Sequence, residues 1–130
     1  MTPNEITITV HQLPPQECSP NSRVHWAVRK IASDCYEAEV DVFAIQARNK
    51  DPRSYPLDKA IVTLTLVVAD KRRRDLDNFW TRFKPGMDAL VRAGVLVDDD
   101  IEHLQHGEIT VEVNAEIAPM TIIMVERLGG

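Results

Sequence analysis

The sequence lacks what would send a chain into or across a membrane. No apolar run approaches the roughly 20 residues that a membrane-spanning helix requires. Met1-Thr-Pro-Asn-Glu5 offers no basic stretch followed by an apolar segment, so no secretory signal is visible. Two cysteines, Cys18 and Cys35, are too few for a disulfide framework and lack metal-ligand spacing. No internal repeat, low-complexity tract or dividing linker interrupts the chain. A reduced, cytoplasmic protein with no membrane association is the expectation. What is present is an ordinary globular composition: 130 residues, 44% hydrophobic and 27% charged. That fits one domain over 1–130, long enough to bury about two-thirds of its unfolded surface.

The net charge of −5 speaks against an anionic partner only as an average. Between Arg23 and Arg92 lie 14 of the 15 Lys and Arg residues against 10 acidic ones, a local balance of +4. Residues 1–22 contribute −2 and residues 93–130 contribute −7. Polyanions respond to local potential, so the acidic average does not exclude DNA.

Glu5 to Val10 alternates apolar and polar residues as a half-buried strand does, and Leu13-Pro-Pro15 ends it. A polar loop follows, in which Asn21 or Ser22 is the expected helix cap. Val24, Val28, Ile31, Cys35, Ala38, Val42 and Ile45 then recur at spacings of four and three. This single apolar stripe predicts a long helix, stopped before Pro52, with the stripe and Cys35 in the core. Trp26, at the helix start, is read as core, with DNA contact by Trp26, His25 and Arg29 as the alternative.

From Lys59 to Ala69 both faces of a period-two pattern are apolar or β-branched, predicting a central strand covered on both sides. Strand, helix and strand in succession predict a parallel pair with a crossover. A second helix is expected from Asn78 to Ala93, burying Phe79, Phe83, Met87, Leu90 and Val91, with Gly94 as terminator. Pro85-Gly86 conflicts with one regular helix: either it kinks, or Pro85 opens a separate one. Strands are expected again around Ile109–Val113 and Met120–Val125. The predicted class is α/β: a mixed sheet with a strand-helix-strand crossover, two main helices and C-terminal antiparallel strands.

The chemistry concentrates in Asp70-Lys-Arg-Arg-Arg-Asp-Leu-Asp-Asn78. In extended backbone, residues two apart point the same way, so Asp75 and Asp77 would converge. Paired carboxylates repel unless a cation lies between them, and Mg²⁺ prefers such oxygen ligands, leaving other positions to water and phosphate. Asp98-Asp99-Asp100 forms a second acidic cluster. Each cluster follows an apolar segment, where parallel sheets place active residues, and the helix between them would return the chain to the same sheet end. Lys71, Arg72, Arg73 and Arg74 beside the first cluster suit phosphate contacts that position a strand without reading its sequence. His103 and His106 are expected on opposite faces of a strand, a poor arrangement for zinc.

Arg72-Arg-Arg-Asp-Leu-Asp-Asn78, followed by Lys84, Asp88-Ala-Leu90, Ala93-Gly94 and Asp98-Asp99, resembles the core motif of RusA-type Holliday junction resolvases. Leu13-Pro-Pro15 and Ser19-Pro-Asn21 through Arg23, His25 and Trp26 resemble the family's N-terminal segment more weakly. The resemblance implies a small, dimeric, Mg²⁺-dependent endonuclease, with Mn²⁺ as a possible substitute, that nicks four-way DNA junctions symmetrically in recombination and repair. By position, Asp75, Asp77 and Asp99 match the catalytic, metal-binding aspartates, and Lys84 the catalytic lysine when aligned on Asp88. Aligned on Asp77, the lysine falls about one helical turn late. Lys71, Arg72, Arg73, Arg74, Arg23 and Arg29 are the expected DNA contacts. Two alternatives stand beside this: a branched-DNA-binding module impaired in catalysis, and an unrelated Asp-x-Asp metal-dependent phosphoesterase.

Overall fold

The computed structural model describes residues 5–71, 74 and 76–129; Arg72, Arg73, Asp75 and the side chain of Asp77 lie outside what it describes. Four strands form one mixed sheet: β1 (Glu5–Val10), β2 (Ala60–Val68), β3 (Leu104–Val113) and β4 (Met120–Arg127), in the order β1-β4-β2-β3. Helix α1 is Trp26–Arg48, α2 is Asp77–Arg82 and α3 is Lys84–Arg92. The chain is therefore α/β, with β2 and β3 parallel across the α2–α3 crossover. Strand β4 is antiparallel to both of its neighbours and runs opposite to β3.

The expected β1–β2 pair needs correction. The two strands run the same way, but β4 lies between them and pairs with both. Ile8, Ile123, Leu64 and Ile109 make one row across the sheet. With β4 between β1 and β2, two antiparallel ladders replace the parallel β1–β2 pair, and antiparallel pairing is slightly more stable per residue. Gly107 sits at a register shift between β2 and β3. A Cβ there would come within 2.5 Å of Thr63 Oγ1 and 3.0 Å of the Val62 carbonyl, so the close approach demands glycine.

All three helices pack on the sheet face carrying Ala60, Val62, Leu64, Leu66 and Val68. Ile61, Thr63 and Thr65 on the other face are only half-buried and Val67 at its end is buried, so β2 is central but covered on that second side only at its end, not along its length as expected. On the packed face, Tyr36 donates to Thr121 Oγ1 at 3.1 Å, and Thr121 donates onward to the Gln12 carbonyl at 2.7 Å. This chain satisfies the polar atoms of a fully buried tyrosine, and burial pushes the Tyr36 hydroxyl well above its usual range.

Helix α1 reverses the burial expectation. Its buried residues are Tyr36, Val40 and Ala44, with Phe43, Ile45 and Ala47 packed beside them. Val28, Ile31 and Val42 are 47%, 65% and 51% exposed, and Cys35 is exposed too. From Val28 to Val42 the stripe faces away from the sheet, and only Ile45 at its end packs on the core, because Tyr36 and Phe43 offer more area to the core than valines and a cysteine do. The cap also differs: His25 Nδ1, not Asn21 or Ser22, accepts from Ala27 N at 3.1 Å. Ser22 instead closes a local turn, its hydroxyl accepting from Val24 N at 3.4 Å.

The proline conflict resolves by splitting the helix. Phe83 separates α2 from α3, and Pro85 falls in the first turn of α3, where no intrahelical donor is required. A Cβ at Gly86 would come within 2.5 Å of the Phe83 ring, so glycine is required beside that aromatic. Phe79, Phe83, Met87 and Leu90 are buried as expected. Gly94 ends α3 at φ +78°, with its N–H donating to Val91 O at 3.1 Å. Among the described residues no helix is long and apolar enough to cross a membrane.

Candidate active site

Asp70 follows the end of β2, whereas Asp98-Asp99-Asp100 precedes β3 and lies by the start of β2, so the strand ends do not by themselves bring the acidic loop before β3 to the end of β2. Leu57 N donates to Val95 O at 2.8 Å and Ala60 N to His103 O at 2.9 Å, which fixes the loop there. In parallel neighbours the chain must recross the sheet before the second strand starts, and α2 and α3 make that crossing. What reaches the acidic loop is therefore the middle of the crossover.

Lys84, the first residue of α3, makes that connection. Its ammonium binds Asp88 Oδ1 at 2.9 Å, one turn on, and also binds Asp99 Oδ2. Hydrogen bonds from Asp99, then Asp88, raise the Lys84 pKa, so the group stays protonated at neutral pH and cannot serve as a general base. The same contact with Lys84 holds the Asp99 carboxyl below the usual carboxylate range. The neighbours are occupied elsewhere: Asp98 Oδ1 accepts from Asp99 N at 2.7 Å, and Asp100 Oδ1 accepts from Glu102 N at 3.0 Å and pairs with His103 Nδ1 at 2.6 Å. Asp99 is the aspartate of this trio that lines a cleft.

That cleft has a volume of about 340 Å³ and includes Trp80, Thr81, Lys84, Met87, Asp99 and His106 in its wall. His106, on β3, stacks on the Trp80 indole with centroids 4.4 Å apart. Sequence reasoning missed this pair; the only signal was an aromatic one turn before Lys84. His103 lies in the turn before β3, within 3.7 Å of Asp58, and so does not share the strand with His106.

Of the proposed metal ligands, Asp99 alone has a described side chain. Asp75 lies outside the described residues, and Asp77 opens α2, four residues before Thr81. Leu76 has helical dihedrals, φ −67° and ψ −28°, so the extended-backbone argument for converging carboxylates does not apply at Leu76 and Asp77. Among the described residues no three His, Cys, Asp or Glu side chains cluster as a metal site. The donor chemistry of Asp99 suits a hard divalent cation: an ionised, oxygen-only ligand at a cleft wall.

The expected DNA contacts divide. Arg72 and Arg73 lie outside the described residues. Arg74 is committed to its own chain: its guanidinium binds Asp70 Oδ1 and the Asp70 carbonyl, each at 3.1 Å, and its side chain is only 13% exposed. Lys71 and Arg23 are exposed. Arg29 is exposed as well and, with Trp26 and Lys30, lines a groove of about 360 Å³ whose far wall is Lys84, Pro85 and Asp88. Trp26 is 70% exposed, a correction to its placement in the core: it precedes the first residue of α1 that reaches the sheet. Lys84 belongs to both hollows, so groove and cleft meet at its ammonium.

Arg82 gives the Pro14-Pro15 segment its place. Its guanidinium donates twice to the Pro14 carbonyl, at 3.2 and 2.7 Å, and lies 4.0 Å over the Phe79 ring. The loop before α1 is thus tied to α2, beside the cleft. No protein-family model matches this chain, and no curated protein matches it.

Proposed function

We propose that the chain is a Mg²⁺-dependent endonuclease that resolves four-way DNA junctions by paired nicks, acting in the cytoplasm. The observation that carries this reading is the meeting of Lys84 with Asp99, fifteen residues apart, beside the helix that Asp77 opens. Alignment of the lysine on Asp88 is supported by the Lys84–Asp88 ion pair, despite the late spacing from Asp77.

Asp75, Asp77 and Asp99 would hold the divalent ion, which when bound lowers the pKa of an attacking water and offsets charge on the phosphorane-like transition state. The hydrogen bond from Lys84 holds the Asp99 carboxyl below the usual carboxylate range, which favours the charged form that a cation binds. The fixed positive charge of Lys84 lies where cleft and groove join, suited to the developing charge on the leaving oxygen. Arg29 would hold a flanking phosphate along the groove, and Trp26 offers a ring on which an unpaired base can stack. Lys71 and Arg23 remain available as outer phosphate contacts. Arg74 is withdrawn from this set, since the Asp70 pairing uses its charge within the chain.

Synthetic four-way junctions incubated with Mg²⁺ or Mn²⁺ test the reading. The expected result is a pair of symmetric nicks, abolished by Asp99→Asn and by Asp77→Asn while junction binding persists. Binding without cleavage under either metal would leave a DNA-binding module. Hydrolysis of nucleotides with no action on DNA would leave a phosphoesterase of another kind.

A further inference from the structure

The cleft holds one pair that the nuclease reading leaves unused. His106 lies on the Trp80 indole with ring centroids 4.4 Å apart and planes 27° from parallel, and both rings line the wall that also carries Lys84 and Asp99. A backbone irregularity puts the imidazole there. Val62 pairs with His106 and Leu64 with Ile109, so Gly107 and Glu108 together oppose Thr63 alone. The extra residue is a β-bulge, a device that re-aims a side chain and is common beside active sites. Without it His106 and Ile109, three apart, would face opposite sides of the sheet; with it both face the helices. Trp80 is held in turn by Phe83, in a T-shaped contact with centroids 6.2 Å apart.

We propose that Trp80 and His106 form a stacking platform for a nucleobase, holding an unstacked nucleotide with its phosphate toward Lys84 and Asp99. The imidazole is exposed although one of its faces is spent on the indole, so a flat ring can lie on the other and extend the stack. A base inside a duplex has neighbours on both faces, whereas an unstacked base has a face to offer. At about 340 Å³ the cleft takes one such unit and not a duplex. The choice of a nucleotide as ligand rests on the nuclease reading. Charge then separates the base from its phosphate. Lys84 meets two carboxylates, Asp88 and Asp99, and the three sum to one negative charge. Such a group repels a phosphate until a divalent cation binds, but it leaves an uncharged base free to stack.

Trp80 reports on its own platform. Trp26→Phe leaves it as the remaining one of the chain's two tryptophans and keeps a ring at position 26. The full chain in this background is titrated, with and without Mg²⁺, with a short single strand of deoxythymidine and with the same backbone made abasic. The base-bearing strand is expected to change Trp80 emission saturably and to bind roughly tenfold more tightly than the abasic one in both conditions. His106→Ala should remove most of that preference, and His106→Phe should restore it, because stacking needs a ring face and neither a proton nor a charge. An imidazole that merely covers Trp80 predicts no preference in any variant. Equal binding of the two strands, no binding of either, a preference that leaves Trp80 emission unmoved, or His106→Phe behaving as His106→Ala overturns the proposal. Junction cleavage plays no part in these readouts. Nicking without a base preference removes the platform alone, and a base preference without nicking of any junction keeps the platform and removes the nuclease reading alone.

Discussion

Helices α1 and α3 relate pattern to burial in opposite ways. In α3, nine residues long, Pro85, Gly86, Met87, Ala89 and Leu90 are buried, and the apolar positions are the ones that meet the sheet. In α1, 23 residues long, only Tyr36, Val40 and Ala44 are buried, and the most regular apolar repeat looks outward. Periodicity identifies residues that share a face; it does not say which face turns inward. A short helix flanked by Phe83 and Gly94 has one apolar side to offer. A long helix with two apolar sides leaves the choice to whichever packs more area against its neighbours.

The largest effect should come from breaking the inward side. Leu90→Ala removes a fully buried side chain of α3 and is expected to cost about 2–5 kcal/mol in chemical denaturation. Val28→Ala on the outward side of α1 should change stability by less than about 0.5 kcal/mol. Equal costs at the two positions would erase the distinction between the helices.

Next in size is the tie between α2 and the proline loop. Arg82→Ala deletes two charged hydrogen bonds to the Pro14 carbonyl and the contact with Phe79, and should cost about 1.5–3 kcal/mol. Arg82→Lys should recover only part of it, because an ammonium cannot reproduce the forked contact. Full recovery would mean that charge, not geometry, holds the loop.

The smallest effect belongs to the first residue of α3. Asp99 has a lowered folded pKa, so its pairing with Lys84 contributes stability above the ordinary carboxylate value of 3.8 and loses it as pH falls through the lowered value. Lys84 has a raised pKa, so its share is present below 10.5 and is lost as pH rises through the raised value. Carbon-detected titration of the Asp99 carboxyl should show a pKa below 3.8 that moves upward in Lys84→Met. No movement would remove the ion pair from the description of the site.

Much of the candidate site could be read from residue order, and some of it could not. Lys84 was assigned by resemblance, aligned on Asp88, and one helical turn does place their charges together. Asp99 was chosen among three consecutive aspartates by resemblance; hydrogen bonds that occupy Asp98 and Asp100 give the physical ground for that choice. Trp80 and His106 were invisible, because their stacking joins a helix to a strand 26 residues later. Trp26 was misplaced by its hydrophobicity, which ignores that the helix start overhangs the sheet.

Local chemistry alone determined where β1 begins and ends, that Pro85 interrupts a regular helix, that Gly94 stops it, and that acidic residues bracket the crossover. Each of these depends on neighbours a few positions away: alternation, a missing N–H, a positive φ. Only the tertiary structure decided that β4 enters between β1 and β2, that α1 turns its stripe outward, and that Lys84 reaches Asp99. Those outcomes are competitions between distant surfaces for the same edge, core or charge, and no window of sequence contains both competitors.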